Sequence, residues 1–206
     1  MRCHATPYPT AVSGRTVAGV NEGHDICDSP EWRETVRDLI IPWAQAAVTL
    51  GDDVLEVGPG FGATTDVFRE QVAALTSVEI DPVLARRLAD RLAGTNVTVV
   101  EGDATALDLP DGRFTGAVCF SMLHHVPTPE LQDRIFAEVA RVLRPGAPFV
   151  ASDSVHRDDL EAFHEGDTYL PLDPATVADR LAAQGFVAVE VEAHEQGWAA
   201  RARTPG

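Results

Sequence analysis

The stretch Asp53-Val54-Leu55-Glu56-Val57-Gly58-Pro59-Gly60-Phe61-Gly62 decides the fold of this 206-residue chain. Its first half has the apolar composition of a buried strand and includes one acidic residue. Its second half is a turn whose glycines can adopt positive φ angles and let the backbone approach a ligand closely. Residues 63–68 can begin a helix, and a strand, a glycine turn and a helix N-terminus together form a niche for a nucleotide.

Composition limits the classes of protein to which the chain can belong. Hydrophobic residues make up 45% of the sequence, which is enough for one domain with a sizeable core. The formal net charge is −16, from 16 basic and 32 acidic residues. Because phosphate groups need a basic surface, this charge predicts neither a nucleic acid nor an anionic membrane as partner. All basic residues are arginine, which excludes lysine Schiff-base chemistry and a catalytic Tyr/Lys pair.

Three features predict a cytoplasmic protein. The three cysteines, Cys3, Cys27 and Cys119, show neither metal-ligand spacing nor an even-numbered disulfide framework, which fits a reducing compartment. No apolar stretch reaches the length of a membrane span. The N-terminus lacks the charged-then-apolar pattern of a signal peptide.

Residues 1–28 are predicted to form a flexible N-terminal arm or lid, and residues 29–206 a single domain. Within this domain we expect N-terminal helices over 29–50 and a cofactor-binding core over 52–150. A substrate-side insertion, a C-terminal helix and the last strands are expected over 151–206. Strand and helix patterns alternate along the domain, which predicts an α/β fold with helices on both faces of a doubly wound, mostly parallel sheet.

Proline and capping residues predict the helix boundaries. Ser29-Pro30 is a helix start, with the serine as N-cap and the proline in the first helical position. Pro42 is expected to break or kink that helix, and a second segment is expected to run to about Leu50. Ligands in parallel sheets bind beyond the carboxyl ends of the strands. The polar residues near the predicted strand ends should therefore converge on one crevice, namely Glu56, Glu79, Asp103, His124, His125 and Asp153.

The glycine turn alone does not identify the nucleotide. The pattern Gly58-x-Gly60-x-x-Ala63 satisfies a loose dinucleotide fingerprint. Glu79 stands where an acidic residue binds ribose hydroxyls in either kind of site. A carboxylate at Glu56 would repel a pyrophosphate but would suit a ligand that carries an ammonium and a sulfonium group. About fifty residues precede the first strand, whereas dinucleotide-binding domains often begin at that strand.

Five motifs, in order, resemble those of the class I S-adenosylmethionine-dependent methyltransferases, and in particular their small bacterial members. The match runs from about Asp52 to Val150. The motifs are Glu56-Val57-Gly58-Pro59-Gly60-Phe61-Gly62, Val78-Glu79-Ile80-Asp81, Glu101-Gly102-Asp103-Ala104, Leu123-His124-His125-Val126 and Arg141-Val142-Leu143-Arg144-Pro145-Gly146. The resemblance implies a Rossmann-like, seven-stranded sheet whose last strand is antiparallel. It also implies S-adenosylmethionine as cofactor and S-adenosylhomocysteine as product.

The resemblance further implies roles for the residues of the cofactor site. The backbone of residues 58–62 would pass under the methionine moiety, and Glu56 would face its amino group. Glu79 would accept hydrogen bonds from both ribose hydroxyls, and Asp103 from the adenine amine. Without a ligand role, Glu79 and Asp103 would be strand-end or turn residues, for example in an Asx turn. The implied cofactor-binding residues are Glu56, Gly58, Pro59, Gly60, Phe61, Gly62, Glu79, Ile80, Gly102, Asp103, Ala104 and Ser121.

Histidines near the expected methyl position favour a hydroxyl acceptor. Transfer from a sulfonium mainly needs alignment, but a hydroxyl also benefits from a base, and imidazole suits neutral pH. We therefore expect O-methylation of a small molecule, such as a sugar, a polyketide or a phenol, with His124, His125 and Asp153 as catalytic residues. If the strand over residues 117–122 continues through both histidines, only one can face the crevice. The alternative is that both are packing residues that cap the sheet.

Four other residues are predicted to bind the substrate. His24 and Asp25 lie with Cys27 ahead of the first helix, in a segment of the kind that small methyltransferases close over the donor. His156 and His164 lie in the predicted insertion, whose plainer interpretation is a solvated loop. The substrate-binding predictions are therefore His24, Asp25, His156 and His164.

A divalent metal is not supported by the motif pattern. Metal-dependent O-methyltransferases place acidic ligands after the fourth and fifth strands. Asp153 fits the second of these positions, but no carboxylate directly follows the fourth strand. If a metal is bound, Asp153 is the ligand that this pattern predicts.

Two other functions stay open on the sequence alone. One is an NAD-dependent oxidoreductase, and the other is a non-catalytic domain that binds S-adenosylmethionine as a sensor or scaffold. As partners we expect a small-molecule acceptor, no nucleic acid and no membrane. A homodimer is a common state among small enzymes of this kind.

Overall fold

The computed structural model describes residues 26–206, and one seven-stranded sheet lies at its centre. The strand order across the sheet is β3-β2-β1-β4-β5-β7-β6. The strands β1 to β5 run parallel, and β7 pairs antiparallel with both β5 and β6. The predicted α/β sheet and its antiparallel last strand are confirmed. The strands are β1 (Asp53–Val57), β2 (Ala74–Glu79), β3 (Val97–Glu101), β4 (Gly116–Phe120), β5 (Pro148–Ser154), β6 (Val187–Ala193) and β7 (Gly197–Arg203).

Helices cover both faces of this sheet, and each face packs on its helices through a separate hydrophobic core. One core lies between the sheet and the helices that contribute Phe136, Val139 and Leu181. The other lies between the sheet and the helices that contribute Ile41 and Phe68. The helices are α1 (Pro30–Thr35), α2 (Ile41–Gln45), α3 (Ala63–Phe68), α4 (Pro82–Arg91), α5 (Pro129–Val142), α6 (Asp158–Phe163) and α7 (Pro174–Ala183).

The strand order places a ligand site at the ends of β1 and β4. These two strands are neighbours, but the chain leaves β1 toward β2 and β3 before it returns to β4 on the other side. The loops that follow β1 and β4 therefore diverge and leave a crevice at this switch point. Four of the five residues of β1 are buried, because helices cover it on both faces.

The N-terminal helix begins as predicted but continues past Pro42. The Ser29 side chain accepts a hydrogen bond from Trp32 N at 3.2 Å and so caps α1. Residues Val36–Ile40 form a π-helical turn between α1 and α2, in which Ile41 N donates to Val36 O. A proline ring clashes with the carbonyl four residues earlier in an α-helix, and the wider π turn makes room for it.

The expected end of this helix near Leu50 is wrong. The helix α2 ends at Gln45 because Ala46 adopts a positive φ of 47°. A left-handed residue cannot continue a right-handed helix, so the chain turns there toward β1.

Two further boundaries differ from the sequence-based expectation, and both concern the candidate site. The strand β4 ends at Phe120, because Ser121 has a φ of 50° and leaves the sheet. His124 and His125 therefore lie in a 3₁₀ turn (Leu123–His125) and not on a continued strand. In the predicted insertion, part of the expected loop is the short helix α6, whose residues are mostly exposed.

No helix within residues 26–206 is long and apolar enough to cross a membrane.

Candidate functional site

A cavity of about 340 Å³ opens at the carboxyl ends of the parallel strands, at the switch point between β1 and β4. It brings together ten of the twelve predicted cofactor residues, and Glu56 and Gly62 are the two that do not line it. The ten come from the turn after β1, the end of β2 and the loops after β3 and β4, which are distant in sequence. They are Gly58, Pro59, Gly60, Phe61, Glu79, Ile80, Gly102, Asp103, Ala104 and Ser121.

The three glycines of the turn after β1 serve different purposes. All three have positive φ angles, of 67° at Gly58, 53° at Gly60 and 81° at Gly62. A side chain at Gly58 would collide with Met122, and one at Gly62 would collide with Leu88 and Arg91. A Cβ at Gly60 would meet no protein atom within 4 Å and would project into open space beside the cavity. Gly58 and Gly62 therefore permit close packing, whereas Gly60 keeps ligand space open.

Glu79 presents a fixed carboxylate to the cavity from the end of β2. It is only 6% exposed, and its two oxygens accept backbone hydrogen bonds from Gly60 N at 2.9 Å and Asp81 N at 3.0 Å. Burial raises the pKa of Glu79, although these two backbone hydrogen bonds oppose the shift. Each oxygen keeps lone-pair capacity for a second donor, so the carboxylate can accept from a pair of hydroxyl groups.

Asp103 combines a turn role with a place on the cavity wall. Its Oδ1 accepts hydrogen bonds from Thr105 N at 2.8 Å and Thr105 Oγ1 at 2.7 Å, which is an Asx turn. The turn holds the carboxylate beside Gly102 and Ala104, which also line the cavity. Turn formation and ligand recognition are therefore compatible at this residue, since one carboxylate oxygen makes both turn contacts.

The structure does not place Glu56 against the ligand space. Its carboxylate is buried and accepts hydrogen bonds from three hydroxyl groups, those of Thr64 at 2.5 Å, Thr65 at 2.7 Å and Ser77 at 2.6 Å. Thr64 lines the cavity, so it stands between Glu56 and a ligand. Glu56 is therefore not positioned to repel a pyrophosphate, because its carboxylate is directed at these three hydroxyl groups.

His124 and Asp153 form a buried pair behind the cavity wall. His124 Nδ1 lies 2.5 Å from Asp153 Oδ1, and Asp153 also accepts from His124 N at 3.0 Å and Ser154 N at 2.7 Å. Neither residue lines the cavity, whereas the neighbouring His125 does. Both histidines lie in the 3₁₀ turn, and of the two only His125 borders the cavity.

His164 joins these two histidines, although it follows them by 40 and 39 residues in the sequence. Its ring centroid lies 5.1 Å from those of both His124 and His125, and Tyr169 stacks on it at 4.6 Å. Burial lowers the pKa of His164, which favours the neutral imidazole.

Of the other predicted substrate residues, the structure describes only His156. His156 is exposed, does not line the cavity and lies 3.8 Å from Asp158. His24 and Asp25, like the rest of the predicted arm up to residue 25, fall outside the described residues. Cys27, which was expected near the site, does line the cavity, and burial raises its pKa to about 11.

Sequence reasoning missed one wall of the cavity. The start of α5 contributes Leu131, Arg134 and Ile135, whose i, i+3 and i+4 spacing puts them on one helix face. Thr168 and Met122 add to the wall from the segments after α6 and β4. The spacing in α5 was the available signal, but it is equally typical of a helix that packs on the core.

The methyltransferase-domain family matches residues 55–151. A relative from Bifidobacterium longum subsp. infantis is 31% identical over 156 residues, which cover 73% of this chain and 43% of the relative. A relative from Corynebacterium jeikeium is 34% identical over 181 residues, which cover 84% of this chain and 50% of the relative. Both are named ribosomal RNA small subunit methyltransferase A. The chain thus spans half or less of the length of these curated relatives.

The fold is similar to that of a Haemonchus contortus phosphoethanolamine N-methyltransferase solved in complex with S-adenosylmethionine. The TM-score is 0.68 at 13% identity, and the match covers 91% of this chain and 61% of the other.

The names of the relatives contradict one expectation from the sequence. We predicted a small-molecule acceptor and, from the acidic composition, no nucleic-acid partner, but both relatives are named for ribosomal RNA. That prediction is therefore wrong. Net charge averages over the whole surface, and it does not report which side chains stand at the mouth of one cavity.

Proposed function

Since this chain belongs to the class I S-adenosylmethionine-dependent methyltransferases, we propose that it transfers a methyl group to an acceptor at the mouth of the cavity. The family and its cofactor, both predicted from the five motifs, are confirmed. When bound, S-adenosylmethionine supplies a methyl group that is already activated by the sulfonium. The protein then has to bind the cofactor, align the acceptor and exclude water.

The observation that carries this proposal is the convergence of two oriented carboxylates with an open glycine turn. Glu79 is fixed by two backbone N–H groups and would accept from the ribose hydroxyls. Asp103 is fixed by its Asx turn and would accept from the adenine amine. Ile80 and Leu84 supply an apolar wall for the adenine, and Gly60 leaves room for the rest of the cofactor.

We propose RNA as the acceptor, because both relatives are named for ribosomal RNA. Of the described residues that line the cavity, Arg134 is the one guanidinium, and it is exposed at the rim where it could contact a phosphate. Val126, Pro127 and Leu131 form an apolar wall nearby, which suits an unstacked base. His125 and Ser121 border the same space and are the polar groups that we assign to alignment of the acceptor.

Cofactor binding is the first experiment. Isothermal titration calorimetry with S-adenosylmethionine and with NAD should give binding of the first and none of the second. Asp103→Asn should weaken binding of S-adenosylmethionine. Binding of NAD alone would overturn the proposal.

Methyl transfer is the second experiment. Methyl-labelled S-adenosylmethionine should label RNA of the small ribosomal subunit, and a non-catalytic binding domain would label nothing. Arg134→Ala should lower RNA labelling without changing cofactor affinity, and the exposed Arg86→Ala, on α4 and away from the cavity lining, should leave both unchanged. Cofactor binding without labelling of any RNA would reject the RNA acceptor and leave the cofactor assignment intact.

A further inference from the structure

Three histidines converge beside the cavity and form a group that the cofactor site does not use. His124 and His125 come from the 3₁₀ turn after β4, and His164 follows α6. One ring nitrogen from each lies within 4.8 Å of those of the other two. Two of the rings are buried, and imidazole nitrogens in such a cluster are preferred ligands of zinc-class ions.

The hydrogen bonds of His124 and His164 indicate which of their ring nitrogens can bind an ion. His124 Nδ1 faces Asp153 Oδ1 at 2.5 Å, and His164 Nδ1 faces Leu160 O at 2.6 Å. A carboxylate and a carbonyl oxygen only accept, so in each ring Nδ1 carries the proton and Nε2 carries the lone pair. A carboxylate or a backbone carbonyl behind the imidazole is the arrangement that orients metal-binding histidines.

Asp153 lies behind His124 and contacts its ring nitrogen Nδ1. It is 3% exposed and accepts from His124 N at 3.0 Å and Ser154 N at 2.7 Å, in addition to the ring of His124. These contacts occupy its oxygens and hold it in place, so it positions His124. This differs from the sequence-based expectation, in which Asp153 itself would be a ligand.

The charge around the cluster favours a cation. Acidic residues from α6 and the loop after it line a shallow pocket together with His164 and Tyr169. They are Asp158, Glu161, Glu165 and Asp167. Such a local excess of carboxylates raises the concentration of divalent cations beside the histidines.

We propose that His124, His125 and His164 bind one divalent transition-metal ion of the zinc class, with Asp153 and the Leu160 carbonyl as orienting groups. Three protein ligands leave a fourth coordination position for water or another ligand. The ion would link the segment after α6 to the turn after β4. A hydrogen bond from Leu170 N to His124 O, of 2.7 Å, already joins these two segments. Because His125 and Thr168 both line the cavity, the ion would fix this wall of the acceptor space.

The test uses the full chain without a histidine tag, stripped with EDTA and then dialysed against Zn²⁺. Elemental analysis should find one zinc per chain. His125→Ala and His164→Ala should each abolish its retention, and Asp153→Asn should weaken zinc binding about 10–100-fold. The matched control is His194→Ala, which removes an imidazole whose Nδ1 accepts from Gln196 N at 3.1 Å, outside the cluster.

A second variant separates this site from a neighbouring exposed group, formed by His156, Asp158 and Glu161. His156→Ala should retain the zinc. Loss of zinc in that variant with retention in His164→Ala would overturn the proposal, as would a wild-type chain that binds none. Circular dichroism checks the folding of each variant. If the cluster variants do not fold, X-ray absorption of the zinc-loaded wild type decides, since imidazole ligation supports the proposal and oxygen-only ligation overturns it.

Discussion

Glu79 stands at the end of β2 with each carboxylate oxygen held by one backbone N–H, from Gly60 and Asp81. Glu79→Gln would set an amide NH₂ against one of these donors and remove the charge that the ribose hydroxyls would meet. We expect a 10–100-fold loss of S-adenosylmethionine affinity in calorimetry, corresponding to about 1.5–3 kcal/mol for a hydrogen bond to a charged group. Glu101→Gln is the matched control, because Glu101 pairs with Glu79 across β2 and β3 but is exposed. Equal losses in both variants would contradict the role of Glu79.

Glu56 gives a prediction about stability and pH. Burial raises its pKa above the ordinary value of 4.5, and the hydrogen bonds from Ser77, Thr64 and Thr65 oppose this shift. The folded chain therefore holds the proton more tightly than the unfolded chain. The contribution to stability is complete below the unfolded-state pKa and is lost as the pH rises toward the folded-state pKa.

Glu56→Gln cannot ionise, so its free energy of unfolding should fall less steeply than that of the wild type as the pH rises from about 4.5. Urea denaturation at a series of pH values measures both slopes. The other titrating groups, including Glu79, are common to both proteins and cancel in the difference. Parallel slopes would show that Glu56 titrates alike in the folded and unfolded chains.

The cavity lining includes more of the residues predicted for the cofactor than of those predicted for the acceptor. Glu79 is the last residue of β2 and Asp103 lies two residues after β3, so their place at the sheet edge depends on local patterns. The surroundings of Glu56 were not predicted, because they depend on Ser77, on a neighbouring strand, as well as on the two threonines after the turn. His164 reaches His124 only through tertiary packing, and no spacing rule relates residues so far apart in sequence.

The glycine turn is the element that can be tested most directly. Gly60 and Gly94 both have positive φ, of 53° and 79°, and a Cβ at either would meet no protein atom within 4 Å. Gly60→Ala and Gly94→Ala should therefore cost similar stability, about 1–2 kcal/mol for a left-handed alanine. Only Gly60 lines the cavity, so only its variant should also lose S-adenosylmethionine affinity, by about tenfold or more.

Thermal unfolding and calorimetry on the same preparations separate the two effects. An affinity loss in Gly94→Ala that matches the loss in Gly60→Ala would mean that general destabilisation, and not lost ligand space, weakens binding.

The presence of the strands and helices was predicted more reliably than the residues at which they end. All seven strands were expected, because apolar runs between turn signals specify them locally. Pro42 was expected to break or kink the helix, and the π turn that accommodates it was not predicted. The end of β4 was placed too late because Ser121 and Met122 read as strand, and the positive φ of Ser121 leaves no mark in the sequence.

The charge of the whole molecule gives a prediction about RNA binding. Several described arginines are already neutralised, since Arg33 pairs with Asp28 and Asp66, and Arg91 pairs with Asp66. The net charge is −16, and few of the described residues offer an unpaired cation to a phosphate. We expect the logarithm of RNA affinity to fall with the logarithm of salt concentration with a slope of about −1, because each phosphate contact on a single strand contributes about −0.7.

Fluorescence anisotropy over a salt series measures this slope, and Arg134→Ala should bring it closer to zero. A slope of about −4 or steeper would show a basic surface that the described residues do not present. We therefore expect the acidic molecule to attract RNA only weakly at a distance, although the same composition misled the prediction of the acceptor. Long-range attraction and chemical recognition at one cavity are separate properties.

The position of β7 between β5 and β6 has a consequence for folding during synthesis on the ribosome. The ribosome makes β6 before β7, yet within the described chain β6 joins the sheet only by pairing with β7. The edge of β5 must therefore stay open until residues 197–203 have emerged. Open edges recruit foreign strands, so a nascent chain is exposed to misassembly during this interval. The order of synthesis and the order of assembly differ at this one step, and a chaperone that shields the growing chain would matter most there.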